Sequence, residues 1–427
     1  MTYEKDWIKL DNAATIYPAT IKRKYAALFR LTITLTENID NDILSESLKS
    51  ILKRFPTFAC SLKEGFFWCY LEKIKEEPKV EKDSVNPMIR HDFDKQYLFR
   101  VRTYKNRIAI EYFHALTDGT GGMTFLLTLT SEYLHRKYNI KKQYNNLVLN
   151  INEEPSEDEI NDAFLKYASK SGSLEHEKKA FHLKGTKIND NLINIITGII
   201  DTEEIKKLAK KYNATITEFV TSILLLNLKE LSNNTKKEIK ISIPINLRKI
   251  YNTKTLRNFS SYVNVGITNE KDYSLKEVIS SVKKQIKEKT MEEKINAKIT
   301  GNVKLMKNHF IRRIPMFIKK HIMSYTEKVM GDGYITTTLS NLGNIEIPNN
   351  MKKYVTDMNF ILGKSRGKTT AITMIGYNNK LYITFSRNIK ESDFERLFFT
   401  TLSKMGLDIL IESNRWILCI VKNVMLD

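Results

Sequence analysis

His114 and Asp118, separated by three residues in the string His114-Ala-Leu-Thr-Asp118-Gly119, are the side chains of this chain best suited to chemistry. A histidine is the one side chain whose ordinary pKa lets it take and release a proton near neutral pH. An aspartate close by can fix which ring nitrogen carries the hydrogen, or brace the loop that carries the ring. The competing reading is a satisfied structural histidine, since a His-x-x-x-Asp string also arises by chance. Context favours chemistry. Arg107–Phe113 alternates as a strand should. Gly119, Gly121 and Gly122 predict a sharp turn, and an apolar helix is expected from about Met123 to Tyr138. The histidine then stands at a strand end, on a loop held by a rigid sheet, where catalytic groups tend to sit.

The rest of the chain has to position that loop. A strand is expected within Tyr25–Thr36, then a helix capped by Asp40 or Asn41 and stopped by Pro56. Strands near Phe58–Lys63 and Phe66–Glu72 turn at Glu64-Gly65, and Tyr97–Tyr104 pairs with Arg107–Phe113 to deliver His114. Residues 73–96 read as loop with at most short strands, and His91-Asp-Phe-Asp94 reads as a solvated turn and not a metal site. Composition shifts over residues 141–190, which reads as a connection with a short helix near Glu157–Ser169. Beyond it come a strand at Asn194–Asp201, helices at Thr202–Tyr212 and Glu218–Leu231, and strands at Ile239–Pro244 and up to Gly266. A helix over Ser274–Glu288 is followed by strands at Tyr334–Ser340, Met358–Leu362, Thr369–Tyr377 and Lys380–Arg387, then a helix over Ser392–Gly406. The basic stretch Met291–Lys328, broken at Pro315, reads as amphipathic helix packed on a domain, with weak membrane-surface association as the alternative. Trp416–Val421 is apolar but too short to span a bilayer.

Composition narrows the class. With 427 residues and 42% hydrophobic content, the chain can bury a large core. Three cysteines, Cys60, Cys69 and Cys419, have no metal-ligand spacing, and their odd number suits a reducing compartment. The first residues have no apolar signal region, so a cytoplasmic enzyme is expected. The net charge of +20 comes with a general bias toward Lys, Ile and Asn, and no nucleic-acid-binding motif accompanies it, so no nucleic-acid partner is expected.

The histidine string resembles the His-His-x-x-x-Asp-Gly motif of the CoA-dependent acyltransferase superfamily, which includes chloramphenicol acetyltransferase, peptide-synthetase condensation domains and bacterial alcohol acetyltransferases. The motif's second histidine, its general base, maps onto His114, its aspartate onto Asp118 and its glycine onto Gly119; the first histidine is Phe113 here. Other strings are similar to the alcohol acetyltransferase-like branch: Trp7–Ala14 with Ile16-Tyr-Pro18, Gly65-Phe-Phe-Trp68, Pro244–Arg248, Thr255–Phe259 and Ser340-Asn-Leu-Gly343. The Asp-Phe-Gly-Trp-Gly motif of other branches is absent.

The resemblance implies an α+β fold, a mixed-sheet α/β sandwich of two chloramphenicol-acetyltransferase-like subdomains with an active-site channel between them. Residues 1–150 would form the N-terminal subdomain, 151–190 the connection and 191–427 the C-terminal subdomain. It implies acyl transfer, most simply acetyl, from a CoA thioester to an alcohol or similar nucleophile. His114 is then the base, no covalent intermediate forms, and acyl-CoA is a co-substrate and not a resident cofactor. Asp118 is implied to be architectural, paired with an arginine. Ser340 is the favoured oxyanion donor, the alternative being a hydroxyl satisfied within its own sheet. Arg248, Arg257 and Asn341 are candidates for lining the channel, with structural pairing the other reading of the two arginines. A monomer with a small-molecule or lipid alcohol acceptor is expected. The alternatives are a free-standing condensation-type enzyme fed by a carrier protein, and a non-catalytic binding protein of the same fold. No Gly-x-Ser-x-Gly elbow is present, and Asp118–Gly122 lacks the Gly-Lys-Ser/Thr ending of a phosphate-binding loop.

Overall fold

A computed structural model describes residues 7–21, 27–84, 87–88, 96–169, 177–188, 192–233, 235–326, 332–363, 367–414 and 419–421. The His91–Asp94 string, the end of the basic stretch at 327–328 and Trp416 lie outside the described residues.

The first half carries β1 (Trp7–Lys9), α1 (Ile16–Thr20), β2 (Leu28–Leu35), α2 (Asn41–Leu52), β3 (Cys60–Glu64), β4 (Cys69–Lys73), β5 (Val80–Lys82), β6 (Phe99–Tyr104), β7 (Arg107–Phe113) and α3 (Gly119–Tyr138). Two short helices, α4 (Glu157–Ile160) and α5 (Ala163–Tyr167), lie in the connection. Local chemistry sets these bounds. The Asp40 carboxylate accepts from Asp42 N and Ile43 N to start α2, and Asn139, at φ 51°, ends α3 in the left-handed conformation.

The second half continues with β8 (Asn194–Asp201), α6 (Thr202–Lys211), α7 (Ile216–Glu230), β9 (Ile239–Asn246), β10 (Ser260–Ile267), α8 (Leu275–Lys289), α9 (Glu292–Lys307), α10 (His309–Arg313) and α11 (Met316–Thr326). It ends with β11 (Thr337–Asn344), α12 (Asn349–Lys352), β12 (Val355–Leu362), β13 (Thr370–Tyr377), β14 (Lys380–Arg387), α13 (Asp393–Lys404), β15 (Ile409–Ser413) and β16 (Cys419–Val421). Capping boxes at Thr215/Glu218 and Ser274/Glu277 fix the starts of α7 and α8.

Three sheets result. The first has the order β12-β2-β7-β6-β5, the second β10-β9-β11-β13-β14-β8-β15-β16, and β1-β4-β3 form a small third. Helices α2 and α3 pack against each other, with α3 against β2 of the first sheet; α7, α8 and α13 cover the second. The strand β12, from the second half of the chain, completes the first sheet by pairing antiparallel with β2, from Val355 opposite Leu35 to Leu362 opposite Phe29. It also packs on β13 and β14, so it ties the two sheets together. Asn359 is the rivet: its amide donates to Thr197 Oγ1 at 3.1 Å and its carbonyl accepts from Thr384 Oγ1 at 2.8 Å. This mixed α/β sandwich is the α+β class expected from the sequence.

The glycine-rich stretch after Asp118 departs from the expectation of a turn. The helix α3 begins at Gly119, four residues before Met123, and Asp118 is its N-cap. The glycines serve close packing instead of a left-handed backbone. A Cβ on Gly121 would lie 2.1 Å from Thr117 Oγ1 and 2.3 Å from the Leu256 carbonyl oxygen. The helix can therefore press its first turn directly against the segment that carries Leu256.

Candidate active site

The site is built where β7 ends. His114 N donates to the Ala27 carbonyl at 2.8 Å, which anchors the residue just past the β2–β7 ladder. Phe113, in place of the motif's first histidine, is wholly buried. The His114 ring stacks on Tyr17 of α1 with centroids 4.7 Å apart, and Phe29 meets it edge-on at 5.3 Å. Two aromatic walls thus fix the plane of the ring.

Asn258, in the loop before β10, fixes its protonation. The Asn258 Nδ2 group donates to the His114 carbonyl at 3.0 Å and to Asp11 Oδ2 at 3.2 Å. Both partners are acceptors only, so the amide has one sensible orientation. That leaves Oδ1, 3.0 Å from His114 Nδ1, as an acceptor. The imidazole hydrogen must therefore sit on Nδ1, and Nε2 presents a lone pair. Among the described residues Nε2 makes no hydrogen bond, and His114 as a residue is not fully buried. Desolvation holds the His114 pKa below the ordinary histidine value, with the Asp118 charge opposing in part. A neutral ring at physiological pH, its lone pair pointing away from its fixed partner, is what a general base requires.

Asp118 does not orient the ring. Its Oδ1 accepts from Thr120 N and Gly121 N, each at 3.1 Å. Its Oδ2 accepts from Arg248 Nη1 and from Phe259 N, each at 2.9 Å. Burial alone would push this carboxyl up, but Arg248 and the Phe259 and Gly121 amides outweigh it and hold the pKa below the ordinary aspartate value. Arg248 spends its other donors on the Thr255 and Arg257 carbonyls at 2.8 and 2.6 Å. Arg257 is buried, donates to the Lys9 carbonyl at 2.6 Å and lies 3.6 Å from Asp11 Oδ2. Both arginines are engaged in structural pairing. Burial raises the Asp11 carboxyl to about 6 despite Arg257.

The remaining sequence candidates lie on or beside β11. Gly119 faces Leu342 so closely that a Cβ would come within 2.7 Å of that side chain. Ser340, two residues before Leu342, is partly exposed, and its hydroxyl makes no hydrogen bond among the described residues. Asn341 is committed elsewhere: its Nδ2 donates to Thr217 Oγ1 of α7 at 2.9 Å and its Oδ1 accepts from Gly343 N at 2.8 Å. Cys60 and Cys69 are buried, which pushes their thiols up to about 12 and about 11, far from a reactive thiolate.

Asp11 and Asn258 were missed as site residues. Both fall inside strings that carry the family resemblance. Asn258 lies 144 residues from His114, so no local spacing links them.

Comparison with solved structures places this fold. Polyketide synthase associated protein 5 from Mycobacterium tuberculosis superposes with a TM-score of 0.63 at 14% identity, covering 95% of this chain and 99% of that one. TRI101 from Fusarium sporotrichioides, solved with coenzyme A and T-2, gives 0.66 at 10% identity, covering 95% and 100%. The first condensation domain of the calcium-dependent antibiotic synthetase gives 0.61 at 12%, covering 95% and 99%. No protein-family model matches the sequence, and no curated protein matches it. The chain thus shares its fold with these proteins. Enzymes with this fold include TRI3, a trichothecene 15-O-acetyltransferase from Fusarium sporotrichioides.

Proposed function

We propose that this protein is an acyltransferase that moves an acyl group, most simply acetyl, from a CoA thioester to an alcohol, with His114 as general base. The observation that carries this reading is the proton placement at His114: Asn258 holds the hydrogen on Nδ1 and leaves Nε2 open. An acceptor hydroxyl reaching Nε2 gives up its proton as its oxygen attacks the thioester carbonyl. The protonated ring then returns that proton to the departing thiolate. Such acid–base help is typically worth about 10²–10⁴-fold. The developing oxyanion needs a donor, worth about 3 kcal/mol where one is well placed. Ser340 is proposed for it, on the strength of a hydroxyl without an internal partner and a position on β11 beside Leu342, which meets Gly119. The solved neighbour that holds coenzyme A supports a CoA donor, and TRI3 supports an alcohol acceptor. Condensation domains share the fold, so acyl-carrier protein is the donor to set against acyl-CoA.

Release of free thiol, followed across a panel of acyl-CoAs, acyl-carrier proteins and alcohols, tests the reading. Alcohol-dependent thiol release is expected from the wild type. His114→Ala should abolish it, by at least about 10²-fold, with the circular dichroism spectrum of the folded protein retained. Near-wild-type turnover in His114→Ala would remove the histidine from the chemistry.

A further inference from the structure

The basic stretch splits into two parts that behave differently. Its first helix, α9, buries Ile295, Ile299 and Val303 in a small core with Phe259 and Tyr251, as an ordinary amphipathic helix should. The next two do not. Asn308 caps α10 and Pro315 breaks the chain before α11. Across that break Phe310 is 85% exposed and Phe317 60% exposed, and Ile318 and Ile322 are each nearly half exposed. Among the described residues of α10 and α11, Met316 alone is buried.

A second aromatic group is joined to this one. The tip of the β3–β4 hairpin carries Phe66, 68% exposed, and Trp68, nearly half exposed. Met316 N donates to the Phe66 carbonyl at 2.7 Å, Lys319 Nζ donates to the Phe67 carbonyl at 2.7 Å, and Lys320 pairs with Glu64. Hairpin tip and helices therefore form one continuous patch of exposed Phe, Trp and Ile, more than scattered surface apolar residues amount to.

Charge identifies the occupant. From Lys294 to Thr326 the chain has eight lysines and arginines and no aspartate or glutamate. Arg312 and Arg313, which flank the exposed aromatics, have no acidic partner among the described residues, and neither do Lys304 and Lys307. Exposed aromatics inside a rim of unpaired cations match the layered chemistry of an anionic bilayer, with acyl chains below and phosphates above. No helix among the described residues is long and apolar enough to cross a membrane, so the contact lies in the plane of the surface.

We infer that the β3–β4 tip and helices α10–α11 form a docking surface for an anionic lipid bilayer. The helix α11 also packs on α1, whose Tyr17 covers the His114 ring, so a docked bilayer lies one helix away from that ring.

Sedimentation with sucrose-loaded vesicles tests this on the full chain. Phosphatidylcholine vesicles containing one third phosphatidylglycerol are expected to bind at least about tenfold more tightly than phosphatidylcholine alone, with the difference shrinking at high salt. Arg312→Glu with Arg313→Glu should weaken binding at least about tenfold. Phe310→Ser with Phe317→Ser should do the same without altering the circular dichroism spectrum or thermal midpoint, since both rings are exposed. Tryptophan emission should shift to the blue on the anionic vesicles, and Trp68→Ser should remove most of that shift. Equal binding to both vesicle types, no binding to either, or full binding by both double variants would overturn the proposal. Sedimentation reports docking whether or not the protein turns over a thioester.

Discussion

At the scale of single residues, a hydrogen bond to a carboxamide oxygen decides what the histidine can do. Asn258 accepts from Nδ1 because its own amide is held by two acceptors, the His114 carbonyl and Asp11. Asn258→Ala should free the ring, lowering kcat by about 10²-fold with little change in KM, because small misplacements of a reacting group are that costly. Nitrogen-15 NMR of the histidine side chains gives a second readout: the hydrogen sits on Nδ1 in the wild type and redistributes in Asn258→Ala. A wild-type ring protonated on Nε2 would contradict the assignment. The pH profile follows from the depressed His114 pKa. Nε2 works as a base only when unprotonated, so kcat/KM should rise with pH on one limb centred below the ordinary histidine value and level off by neutrality. A limb centred above neutrality would mean that another group is titrating. The string around His114 stands out in the sequence because its strand, histidine, aspartate and glycines are contiguous. Asp11 and Asn258 do not, because the contact that gives them meaning spans the whole first half of the chain.

At the scale of elements, Asp118 is a joint. One oxygen caps α3 while the other holds Arg248 and the Phe259 amide of the second half. Asp118→Ala would leave the largely buried Arg248 without its charge partner, which costs up to about 3–5 kcal/mol, and would also lose the cap, worth about 1 kcal/mol. Denaturant titration should show that loss, together with a fall in turnover. Gly121→Ala should also destabilise, since the added carbon meets backbone at Leu256. Element bounds were largely legible, because caps and periodicity are local signals: Arg107–Phe113 and Asn194–Asp201 stand as expected. The glycines were misread because glycine marks a turn and a close approach with the same letter. In α10 and α11 Phe310, Phe317, Ile318 and Ile322 are exposed while Met316 packs inward, a division that no pattern within the stretch displays.

At the scale of the whole molecule, the two halves share a core. The larger apolar cluster joins Leu31, Phe29 and Phe125 to Met351, Phe360, Ile375 and Tyr377. Cooperative unfolding is the consequence, and calorimetry should record one transition for the full chain. Two resolved transitions would mean that the shared core adds little coupling. The exchange of β12 between halves could not be read from the sequence: Met358–Leu362 looks like any buried strand, and its pairing with β2 lies more than 300 residues away.

That exchange has a consequence for synthesis. The apolar edge of β2 leaves the ribosome early, yet the strand that covers it emerges some 300 residues later, on the order of tens of seconds at usual elongation rates. Through that interval the nascent chain presents an open, β-branched strand edge, the kind of surface that recruits neighbouring chains. Recovery of native protein from a cell should therefore depend on chaperones that shield the waiting edge, and on slow production at low temperature.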